Sequence, residues 1–169
     1  MYRYETQKVK FMKIRWYSNL IILLIVLLTI TSGSWAALAD SVKIIAKHPE
    51  IRNSSIYQVN FVLDKAIPAQ AAFRIVFPIG FDLSDLMIAG SSTINGGFVL
   101  QVEGQTVTIK RSGLGKEIPP NQPVDVKFAI VKNPPQPADD YEIHVELLDE
   151  SEKPILKTTT KHKIVPEKQ

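Results

Sequence analysis

Three observations on the region after residue 39 predict an all-β fold built as two sheets packed face to face. Its apolar residues recur with a period of two, its alternating segments are short, and clusters of Pro, Gly and Asn separate them. A strand with one apolar face must bury that face, and seven to eight such strands do so most economically as a Greek-key β-sandwich.

The clearest strand spans 57–63, where Tyr57, Val59, Phe61 and Leu63 face one way and Gln58 and Asn60 the other. Residues 72–77 repeat the pattern with Phe73, Ile75 and Phe77 inward and Arg74 outward. Residues 98–102 and 107–110 flank Glu103 and Gly104 and read as a hairpin. The most regular alternations are 124–130, with Val126 and Phe128 inward, and 141–147, with Tyr141, Ile143 and Val145 inward. Val107 and Ile109 complete the expected core, weaker strands are expected over 42–46 and 155–160, and a short one near 86–89. Prolines fall between these segments, where a missing amide hydrogen costs the ladder nothing. No internal repeat or interior linker breaks the region, so residues 40–169 read as one domain.

Residues 1–39 follow a different grammar. Lys8, Lys10, Lys13 and Arg15 precede the apolar run from Leu20 to Ile30, and Ala37 and Ala39 follow it. A basic start, an apolar helix and small residues at a cleavage point define an export signal, with cleavage after Ala39 or, alternatively, Ala36. Met12 offers a second start, and an uncleaved anchor over 20–39 is the competing reading, since that stretch has the ~20 residues a spanning helix needs. The leader holds five of the 20 Lys and Arg (Arg3 is the fifth), one of the 17 acids (Glu5) and both Trp, Trp16 and Trp35. Its removal leaves a nearly neutral chain with no electrostatic reason to bind nucleic acid, and membrane contact only through a retained leader. With no Cys in the chain, thiol catalysis, thiolate metal sites and disulfides are excluded.

Several segments carry a resemblance: 77–84, with Pro78 and Gly80; 91–98, with Gly96 and Gly97; 102–113; Lys132 to Pro135; and 141–145. Together they resemble the immunoglobulin-like sandwich modules of bacterial and archaeal surface proteins of the S-layer and adhesin type. That resemblance implies a structural or protein-interaction role and partners among other extracellular or cell-envelope proteins. The chain departs from the usual context in carrying one copy rather than an array. It also places Asp139 and Asp140 where a small residue often precedes the tyrosine.

Tyr141 begins a strand after a proline-rich loop, a position where a sandwich tyrosine commonly pins a corner through its hydroxyl. Glu142, His144 and Glu146 share one strand face, but neighbours two apart on a strand are ~6.5 to 7 Å apart, too far for one ion to bind all three. Asp82, Asp85, Asp139 and Asp140 are loop carboxylates and weak calcium candidates, although they lack the dense ladder of a calcium loop. Asp82 and Asp85 also fit a capped turn. Gly113, Gly115 and Lys116 miss the Ser or Thr and the following helix of a phosphate loop. Ser91, Ser92 and Ser112 sit in turns without an assignable base. Thr158 to Thr160 read as an edge strand guarded by Lys157, Lys161 and Lys163. Asn53, Ser54 and Ser55 fit a glycosylation sequon, which matters only in a eukaryotic secretory pathway.

The sequence therefore predicts an exported, non-enzymatic module without a cofactor. A carbohydrate-binding module is the alternative, weakened because no Trp remains and both remaining tyrosines are expected in the core.

Overall fold

The computed structural model describes residues 41–167, so both leader readings lie outside the described residues. It holds nine strands and no helix in that range: β1 (Ser41–Ala46), β2 (Ser54–Val62), β3 (Ala72–Val76), β4 (Ile88–Gly90), β5 (Phe98–Glu103), β6 (Thr106–Arg111), β7 (Val124–Lys132), β8 (Ala138–Leu148) and β9 (Pro154–Ile164). The expected count of seven to eight is short because the weak segment near residue 88 forms a true strand. Although only three residues long, β4 pairs with β7 through Ile88 and Ala129, Ala89 and Phe128, and Gly90 and Lys127.

The strands form a four-stranded sheet in the order β1-β2-β7-β4 and a five-stranded sheet in the order β5-β6-β3-β8-β9. Each pairing is antiparallel. The chain crosses between sheets after β2, β3, β4, β6 and β7, so each sheet is assembled from segments distant in sequence. Between β5 and β6 it turns through Gly104, whose φ of 57° is a backbone state that glycine adopts without strain.

Alternation places the core between the sheets. Tyr57, Val59 and Phe61 from β2 meet Val126 and Phe128 from β7 on one side; Phe73, Ile75, Val107, Ile109, Ile143 and Val145 come from the other. Phe77 and Phe81, just outside β3, close one end with Tyr57 and Phe128 in a cluster of ring contacts. Tyr141 departs from its expected place in the core. It is half-buried, because the register shift between Ala138 and Tyr141 puts it at the rim beside Phe81.

Two strand ends reach further than the alternation indicates. β9 continues to Ile164 because His162 and Ile164 turn inward beyond the Thr run, and it starts at Pro154, a position where an edge strand tolerates the missing donor. β8 begins at Ala138, so Asp139 and Asp140 lie on the strand rather than in the preceding loop.

Candidate interaction surface

The residues singled out from sequence fall at separate places. Tyr141 donates its hydroxyl to the Gln136 carbonyl at 2.8 Å and sets its ring edge-on to Phe81 at 5.3 Å, tying the proline-rich loop to the start of β8. Glu142, His144 and Glu146 line the solvent face of β8. There Glu146 bridges Lys157 at 2.8 Å and Arg74 at 3.4 Å, and the Lys157 ammonium, with Arg74 behind it, holds its carboxyl below the usual range. His144 Nδ1 lies 2.7 Å from the Thr159 hydroxyl. Among the described residues no group of three or more His, Asp or Glu is placed to hold a metal ion.

Asp82 accepts the Ser84 amide at 3.0 Å and the Ser84 hydroxyl at 2.7 Å, bonds that hold its carboxyl low. Asp139 pairs at 2.7 Å with Lys163 on β9, the neighbouring edge strand of the same sheet. The segment around Gly113, Gly115 and Lys116 is a bend braced from beneath. Buried Arg111 donates to the carbonyls of Pro68 and Lys116, each at 2.6 Å, and of Ile67 at 3.3 Å. Gly115 is required there, since a Cβ would stand 2.0 Å from the Asn95 carbonyl oxygen.

Three further buried polar groups escape sequence reasoning. Asp125 sits on the solvent side of β7, yet the 91–94 loop covers it. Its Oδ1 accepts the Ser92 amide at 3.0 Å and the Thr93 and Ser91 hydroxyls at 2.7 and 3.2 Å, while Lys127 reaches Oδ2 at 3.1 Å. Burial alone would raise its pKa, but the bonds from Thr93, Lys127 and Ser92 outweigh it and hold the carboxyl at about 2. Asn133 accepts the Tyr57 hydroxyl at 2.6 Å and donates to the carbonyls of His48 and Glu50 at 2.8 and 2.7 Å. His162 lies 5.3 Å from the Tyr57 ring and bonds the Ile44 backbone; burial pushes its pKa down. The only advance signal is for Asp125, an acid inside an apolar strand. Apart from Lys127, its partners lie more than thirty positions away, where spacing carries no information.

The solvent face of the four-stranded sheet combines these features. Near Asp125 a shallow concavity of about 520 Å³ is lined by Lys43, Gln58, Asn60, Thr93 and Lys127. Toward the other end of the strands, Ile45, Ile56, Ile88 and Ile130 project with Met87 into solvent. On the five-stranded sheet the corresponding face is mostly polar, with the ladder of Arg74, Glu146 and Lys157 across it.

No protein-family model matches the chain, and neither does any curated protein. Solved structures do. A cohesin module from a Clostridium perfringens family 33 glycoside hydrolase is 14% identical, with a TM-score of 0.54 over 76% of this chain and 96% of that one. An uncharacterized Nocardia farcinica protein with an immunoglobulin-like fold is 13% identical, with a TM-score of 0.44 over 71% of this chain and 96% of that one. Domains D2 and D3 of the Corynebacterium diphtheriae major pilin SpaD are 10% identical, with a TM-score of 0.48; 71% of this chain covers 50% of that one. At these identities the likeness is one of fold: the chain shares its two-sheet architecture with the cohesin module.

Proposed function

We propose that the chain is an exported, non-catalytic immunoglobulin-like module that works by contact with other proteins of the cell envelope. The observation that supports this reading most is the likeness of fold to a cohesin module, which covers 96% of that module and 76% of this chain. The chemistry of the surface supports the same reading. The carboxylates most perturbed from ordinary behaviour, Asp125, Glu146 and Asp82, are each committed to bonds that hold loops and strands together. What the fold presents to solvent is backbone edges and loops on a rigid core, features through which proteins commonly meet protein partners.

The decisive experiment is fractionation of native cells with N-terminal sequencing of the protein, followed by surface crosslinking. A chain beginning near Ala37 or Asp40, crosslinked to envelope proteins, is the expected result. An intact N-terminus in the cytoplasm would overturn the proposal. Strong, specific hits on a glycan array would replace protein contact with carbohydrate recognition. For Asp82, Asp85, Asp139 and Asp140 a structural role is proposed, with the same melting midpoint expected in chelator and in millimolar calcium.

A further inference from the structure

We infer that the chain associates with a second copy of itself through the solvent face of its four-stranded sheet. Scattered exposed apolar residues are ordinary. Here they are adjacent in register. Ile56 sits at the β2 bulge between the pairs Ser55 with Val131 and Tyr57 with Phe128, which sets it beside Ala129 and Ile130. Ile88 pairs with Ala129, and the Met87 amide bonds the Ala129 carbonyl. On the other side the Lys47 amide bonds the Ile56 carbonyl. One row thus crosses the sheet from Lys47 through Ile56 and Ile130 to Ile88, with Met87 next to Ile88 in the chain, and Ile56, Ile130, Ile88 and Met87 are 42, 44, 66 and 84% exposed. Ile45, 42% exposed, flanks it.

The charges at the two ends identify the occupant. Lys47 stands at the β1 end, and exposed Asp85, whose carbonyl accepts the Ile130 amide, stands at the β4 end. Neither makes an ion pair within the described residues. A two-fold axis lying between the faces and along the strands reverses the row onto itself. It sets Ile56 over Ile130 of the second copy, and Lys47 over Asp85 of the second copy, twice by symmetry. A different partner would have to supply a matching row, whereas this face carries both halves of its own complement. The ladder of Arg74, Glu146 and Lys157 on the other sheet is already satisfied within the chain. Four strands ~4.8 Å apart make a small face, so the association belongs to the class of small, weak interfaces.

Because the chain lacks cysteine, disulfide trapping reads the contact directly. Full-length Lys47→Cys and Asp85→Cys, mixed and oxidised, should form the mixed dimer at least about tenfold faster than either variant forms its own. Adding Ile88→Lys to both should abolish the difference. In sedimentation of the full chain, Lys47→Asp should weaken association about tenfold and Lys47→Asp with Asp85→Lys should restore it. Melting curves establish that each variant folds. Equal trapping in all three mixtures, trapping indifferent to Ile88→Lys, or no recovery on the charge swap would each overturn the inference.

Discussion

Asn133 joins three segments through one carboxamide: the Tyr57 hydroxyl from β2 and the carbonyls of His48 and Glu50 from the loop between β1 and β2. Its bonds to Tyr57 and Glu50 are buried and that to His48 is part-buried, so their loss leaves at least two groups that water cannot readily satisfy. Asn133→Leu strands three partners and is expected to cost about 3 kcal/mol, whereas Tyr57→Phe leaves one orphan acceptor and should cost about 1 to 2 kcal/mol. Tyr141→Phe removes a bond at the rim, where water can take over the Gln136 carbonyl, and should cost at most about 1 kcal/mol. Urea denaturation of the three variants checks the order, and an equal loss for Tyr141→Phe and Asn133→Leu would contradict it. Alternation in the sequence marks Tyr57 as inward. It cannot say where the hydroxyl goes, because the answer stands 76 residues away.

At the scale of the element, local pattern and distant context divide the work differently. The strands are legible because a half-buried strand has to alternate, and the inward residues of β2, β3, β6 and β7 are the buried ones. β4 is less legible, since three residues leave no room for a period and its existence rests on pairing with β7. The interaction surface is hardest to read. Ile45, Ile56 and Ile88 come from three strands, and only the sheet order makes them neighbours. The glycines divide in the same way. Gly90 and Gly115 look alike in sequence, yet a Cβ at Gly90 meets nothing within 4 Å, whereas at Gly115 it would strike the Asn95 carbonyl. Gly90→Ala should therefore be neutral or stabilise by up to about 0.5 kcal/mol through the unfolded chain. Gly115→Ala should destabilise by more than about 2 kcal/mol by forcing apart loops that Arg111 and Ser112 hold together. Thermal melts of the pair separate backbone entropy from steric conflict.

For the whole molecule, buried titratable groups at different places combine into one stability profile. His162 is held neutral by burial, so below its ordinary value of 6.5 the unfolded chain takes up a proton that the folded chain refuses. Its contribution is fully present above about pH 7 and is lost as pH falls from there. Asp125 works in the same direction in a lower window. With its folded value at about 2 against an ordinary 3.8, it contributes roughly 2 kcal/mol above about pH 4 and loses that as pH falls toward 2. Tyr57 acts with the opposite sign, because burial raises its pKa above the ordinary 10.0 and the unfolded phenol ionises first. Its contribution is present at neutral pH and lost as pH climbs past about 10. Urea midpoints measured from pH 2 to 11 should accordingly trace a plateau between about 7 and 9, a two-step acid decline and an alkaline fall. His162→Phe should flatten the upper acid step and Asp125→Asn the lower one, each leaving the other in place because the two groups sit on different strands and share no partner. A profile in which His162→Phe leaves the slope between pH 7 and 5 unchanged would remove the buried imidazole as its cause.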